Sequence, residues 1–158
     1  MDFLTLVKKR KSCRDFSKKE IPLYDIMKCV EAAQYSPSAC GLKPWNFYIL
    51  RESLRDKIAI LACEKYEESS FIKKASTIIL VTNKQPKHVQ HFMVDIGIAC
   101  EHFVLQATEL GIESCYVGYF NNEKVYRCLG LNDVEYGILI ALGYKNENPI
   151  CPPAITPS

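Results

Sequence analysis

Two arginines, a lysine and a serine stand together in RKSCRDF, residues 10–16. In an extended segment alternate side chains share a side, so Arg10, Ser12 and Arg14 face one way while Lys11 and Cys13 face the other. A guanidinium presents a planar fork of donors that matches phosphate oxygens, and a serine adds its hydroxyl and backbone N–H. The spacing therefore suits a cradle for one compact dianion. From spacing alone, a solvated basic face and a nucleic-acid arm remain open alternatives. The charge distribution favours the compact ligand: the first twenty residues hold seven Lys/Arg against three acids, while the whole chain is only +2.

Two further stretches are suited to holding a flat ligand. In SPSACGLKPW, residues 36–45, small residues let a ring approach the backbone while Pro37 and Pro44 stiffen the path. In CYVGYF, residues 115–120, Gly118 falls at a strand end, where backbone N–H groups can face a ligand's acceptor atoms. An ordinary helix-to-strand connection and a plain turn are the competing readings. The eight cysteines contain no CxxC, and His88-x-x-His91 with Cys100-x-His102 lacks a fourth ligand, so no metal site is expected. His102 reads as a partly buried helix residue and Trp45 as a core anchor.

The elements that must position these residues follow from periodicity. Asp2 caps a first helix to about Lys11, with Phe3, Leu6 and Val7 on one face. A second helix begins at Pro22, carries Leu23, Ile26, Met27, Val30 and Ala33 as its apolar stripe, and ends at Ser36-Pro37. Strands are expected at 46–50, 77–82, 113–117 and 136–142, and a helix capped by Ser53 over about 54–65 followed by a polar turn. A long helix starts near His91 and closes at Gly111; Gly97 in its middle implies close approach of another backbone, as at a crossing between two subunits. A short helix over about 123–129 ends at Gly130. Residues 83–90 read as a loop, and the tail NENPICPPAITPS is too proline-rich for a helix. The alternation is not the regular βαβ pattern of a doubly wound sheet, and there is no GxGxxG, so an α+β sandwich is expected.

With 158 residues, 48% apolar and 24% charged, the chain fits one domain, residues 1–158, with a real core. No apolar run reaches the ~20 residues of a membrane span, and scattered cysteines read as reduced thiols, so a cytoplasmic protein is expected. The basic patch lacks the aromatic interleaving and extent of a nucleic-acid surface, so neither membrane nor nucleic acid is expected as a partner.

Taken together, RKSCRDF, SPSACGLKPWNF and DIGIACEHFVLQATELGIESCYVGYF resemble the nitroreductase family of FMN-dependent oxidoreductases, in order and spacing, over residues 3 to 145. The resemblance implies a sandwich with a central, mainly antiparallel sheet flanked by helices, in an intertwined homodimer with two FMN sites at the interface. It implies that Arg10, Lys11, Ser12 and Arg14 hold the phosphate and ribityl chain. Pro37, Ser38 and Ala39 would come from the partner subunit, and the backbone at Val117 and Gly118 would lie by the ring near N5. Lys43 is a candidate cation for the N1 and C2 carbonyl edge. Longer members carry an Asn and a Gln where Gly41 and Lys43 stand, and a C-terminal pair of cations, whereas nothing after Lys145 is basic. The implied activity is transfer of a hydride from NADH or NADPH through flavin N5 to a small-molecule electron acceptor, a nitroaromatic, quinone or flavin, with ping-pong kinetics and no catalytic side chain. The alternative is a protein of the same fold that stores or senses FMN without turnover.

Overall fold

In the computed structural model the described residues are 1–84 and 91–147. Five α-helices and four strands run α1 (Phe3–Lys9), α2 (Leu23–Gln34), β1 (Trp45–Leu50), α3 (Glu52–Cys63), β2 (Thr77–Asn83), α4 (Phe92–Glu109), β3 (Glu113–Val117), α5 (Asn122–Cys128) and β4 (Gly137–Gly143). The strands form one sheet in the order β1-β2-β4-β3, and every neighbouring pair is antiparallel. The α+β sandwich with an antiparallel sheet and flanking helices is therefore what forms.

Strand alternation divides the sheet's side chains between two cores. Ile79, Val81, Ile140 and Leu142 meet Ile26 and Ala33 of α2 and Ile96, Phe103 and Val104 of α4. Ile78, Leu80, Leu139 and Ala141 point the other way, onto Ile58 and Ala62 of α3 and Val125 of α5. Both faces are covered, so β2 is buried from end to end. Full burial of each such aliphatic side chain is worth about 1.5–3 kcal/mol. Trp45 anchors the first core as expected, at 1% exposure, and Phe103 stacks on Phe47 with ring centroids 5.6 Å apart.

Several expectations needed correction. Ser53 does not cap α3: the helix starts at Glu52, with Arg51 preceding it and no side-chain cap. Strand β1 runs almost directly into this helix, and Glu52 makes the reversal at φ +53°. The polar turn expected after α3 is a 3-10 helix, Glu67–Lys74, because the three-residue period puts Ser69 and Ile72 on one buried side. On α2 the buried positions are Ile26, Cys29 and Ala33, and Leu23 and Met27 stay about half exposed. Phe3 of α1 is 71% exposed although Leu6 packs toward α4. His102 is exposed, and its Nδ1 lies 3.0 Å from the Ile98 carbonyl oxygen. Among the described residues, nothing outside its own helix backbone lies within 4 Å of where a Gly97 Cβ would sit, so no close approach seen there explains it.

Other readings match closely. Asp2 accepts from the Thr5 N–H, and Gly111 and Gly130 end their helices at φ +76° and +65°. The loop expected at 83–90 and the proline-rich tail lie mostly outside the described residues. No helix among the described residues is long and apolar enough to cross a membrane.

Candidate functional site

The basic arm leaves α1 in an extended conformation at Arg10, ψ 125°, and runs beside β3. Ser12 forms a parallel bridge with Ser114, and the Cys13 N–H donates to the Ser114 carbonyl at 2.9 Å. Cys13 packs inward against the second core, and Phe16 enters it. Ser12, Arg14 and Arg10 gather at the Cys115 thiol: burial pushes that thiol's pKa up, while the Arg14 charge, a hydrogen bond with Ser12 and the Arg10 charge pull it down. Thus three of the four residues assigned to the phosphate lie near the Cys115 thiol, and Lys11 is exposed.

Other side chains aim the two arginines. The Arg10 Nε lies 4.0 Å from a Glu101 carboxylate oxygen on α4, and Glu101 also meets the Tyr116 hydroxyl. Burial first, and then the nearby Cys100 and Glu101, push the tyrosine's pKa up. The Arg14 guanidinium sits 5.6 Å from the centre of the Phe71 ring.

The glycine turn lies on the same sheet edge. Val117 is buried and ends β3, while Gly118 is exposed with nothing within 4 Å of a would-be Cβ. The turn is fixed from below: the Ser69 hydroxyl donates to the Tyr119 carbonyl at 2.8 Å, and buried Phe120 packs edge-to-face on Tyr126. Val117 is three residues beyond the Ser114 bridge, about 10 Å along the strand. The arm and the turn therefore border one open strip of backbone.

The third segment stands apart. The Ser38 Oγ accepts from the Lys43 N–H at 2.9 Å, and the Ala39 N–H donates to the Asp95 carboxylate on α4 at 3.1 Å. Cys40, Gly41 and Lys43 all have left-handed backbone, φ +51°, +66° and +46°. Pro37, Ala39 and Lys43 are exposed. This loop leads into β1, the sheet edge opposite β3, three strand spacings or about 14 Å away. One chain brings Arg10, Ser12, Arg14, Val117 and Gly118 together, and it does not bring Pro37, Ser38, Ala39 and Lys43 to them.

Sequence reasoning missed Asp95, Glu101, Phe71 and Cys115. Asp95 did leave a signal: it lies three residues after Phe92 and four before Ala99, an acid on an apolar stripe. Glu101 and Phe71 act across tertiary contacts that no local pattern encodes. Among the described residues no group of three or more His, Cys, Asp or Glu could hold a metal ion.

The sequence matches the description "Nitroreductase family" over residues 7–70 and 63–144. A protein of Methanothermobacter thermautotrophicus named "Putative NADH dehydrogenase/NAD(P)H nitroreductase" is 29% identical, over 94% of this chain and 80% of that protein. An iodotyrosine deiodinase of Thermotoga neapolitana is 36% identical, over 90% of this chain and 88% of that one. Among solved structures, an FMN-dependent nitroreductase of Clostridium difficile superimposes with a TM-score of 0.80 at 25% identity, over 93% of this chain and 90% of the other. With the match running through arm, loop, central helix and glycine turn, the chain belongs to the nitroreductase family.

Proposed function

We propose that the chain's nitroreductase-like oxidoreductase activity runs on FMN held between two copies of the chain, each supplying part of each site. Arg10, Lys11, Ser12 and Arg14 hold the phosphate: two guanidiniums and a hydroxyl lie near one thiol and an ammonium is exposed on the same arm, a set that suits a dianion. Val117 and Gly118 offer backbone to the ring where no side chain obstructs it. Pro37, Ser38 and Ala39 complete the site from the partner, with Lys43 as a cation for the electron-rich edge. The extended arm that Ser12 and Cys13 hold along β3, with the open Gly118 turn at the end of the same strand, carries this reading.

When bound, FMN supplies the redox chemistry, accepting a hydride at N5 from NADH or NADPH and yielding it to an acceptor. The protein's residues bind and orient the cofactor, and no side chain here is required to form a covalent bond with substrate. Donor and acceptor using the same open strip in turn gives ping-pong kinetics.

Two observations favour the homodimer. The loop is too far from the arm for one chain to close the site. Helices α1, α2 and α4 also expose Phe3, Leu4, Leu23, Met27, Met93 and Val94, and Gly97 of α4 is open to solvent.

The test is the visible spectrum of purified protein after FMN addition and desalting, followed by NADH or NADPH under anaerobic conditions. Retained flavin bands that bleach support the oxidoreductase reading. An acceptor panel of a nitroaromatic, a quinone, free flavin and an iodotyrosine then ranks substrates. Flavin that stays oxidised with both donors leaves a storage or sensing protein, and failure to retain flavin overturns the assignment.

A further inference from the structure

The loop Ser38–Lys43 is held in a costly shape. A non-glycine residue in the left-handed region costs about 1–2 kcal/mol, and two such residues, Cys40 and Lys43, flank Gly41 there. Shapes of this kind persist only where the surroundings impose them. The loop's internal bonds, Lys43 N–H to Ser38 Oγ and Gly41 N–H to the Ser38 carbonyl, tie it only to itself. Among the described residues, besides the Trp45 N–H to the Lys43 carbonyl where the loop enters β1, one hydrogen bond joins residues 37–43 to another element, and it is the Ala39 N–H to Asp95.

Asp95 is unusual in its own right. It is 6% exposed, in the first turn of a helix whose other inward residues are mainly apolar. Burying a carboxylate is expensive unless it is hydrogen-bonded. The α4 N-terminal dipole favours the charge, and the Ala39 amide supplies the bond.

We infer that Asp95 is a positioning residue for the cofactor: by gripping the Ala39 amide it sets the loop that one subunit presents to the FMN held by the other. This rests on the FMN reading above. Asp95 itself touches no cofactor; it acts through the loop.

The test uses FMN affinity, read by quenching of flavin fluorescence on apoprotein, together with visible circular dichroism of the bound flavin. Asp95→Ala is expected to weaken FMN about tenfold and change the dichroism, whereas Asp95→Asn, which keeps an oxygen acceptor, stays within about threefold of wild type. Ala39→Pro removes the same bond from the loop side and leaves α4 intact, so it carries the test even if Asp95→Ala does not fold. It should match the Asp95→Ala loss, and the double variant should lose no more than either single. Wild-type affinity in both singles, or losses that add in the double variant, would overturn the role of Asp95. A wild-type protein that binds no FMN sinks the reading of the site, and the role of Asp95 with it.

Discussion

Replacing both Arg10 and Arg14 by Ala should produce a folded protein that has lost most of its grip on FMN. The cost to folding is small. The Arg10–Glu101 pair is 4.0 Å apart with side chains 30% and 46% exposed, and such pairs contribute no more than about 0.5 kcal/mol. The exposed Arg14 over Phe71, at 5.6 Å, adds about another 0.5 kcal/mol. Their sum is about 1 kcal/mol, against the 5–15 kcal/mol usual for a domain. The cost to binding is larger, because a charge-assisted hydrogen bond to phosphate is worth about 1.5–3 kcal/mol. For an open site the lower value applies, giving about 3 kcal/mol for the pair, or roughly a hundredfold in Kd. Fluorescence titration of apoprotein with FMN at two salt concentrations measures this, and the variant should also show a shallower salt dependence. Arg10→Lys, which keeps the charge but loses the fork, should fall between the two. A double variant that binds FMN as tightly as wild type, with the same salt dependence, would refute the phosphate assignment.

Three further outcomes follow from the packing and the buried thiols. Phe103→Ala removes a fully buried ring stacked on Phe47 and should cost about 3–5 kcal/mol, read as a lower urea midpoint. Gly97→Ala meets nothing outside its own helix backbone within 4 Å among the described residues, so it should stabilise α4 by up to about 1 kcal/mol. The same substitution should weaken self-association in sedimentation, and unchanged association would remove Gly97 from the interface. Burial pushes the thiols of Cys29 and Cys100 up to about 12 from the ordinary 9.0. Folding thus favours the protonated thiols, and that stability is complete below pH 9 and lost as pH rises from 9 toward 12. Urea midpoints across that range should fall, and less steeply in Cys29→Ala/Cys100→Ala; equal slopes would contradict the assignment.

The sandwich was legible because its signals are local: β-branched runs for the strands, and helix ends marked by Asp2, Pro22 and Gly111. The extended arm after α1 was legible for the same reason, but the partners of its arginines, Glu101 for Arg10 and Phe71 for Arg14, were not. Reading failed where a tertiary partner decides the outcome. Ile72 gains its burial from α3, which turns an expected polar turn into a 3-10 helix. Phe3, Leu23 and Met27 form proper apolar stripes, yet one chain does not cover them. Asp95 finds its amide 56 residues away, a distance no periodicity argument spans.

The bridge between Ser12 and Ser114 has a consequence for how the protein fails. Strand β3 is an outer strand of the sheet, and an uncovered outer strand is a template for pairing with another molecule. Here the arm that carries Arg10 and Arg14 also shields that strand. If the arm holds the cofactor phosphate as proposed, cofactor release and aggregation are linked through one segment: conditions that loosen the arm both release the phosphate and bare the strand. Protein starved of FMN should accordingly be lost to insoluble material before its core has melted.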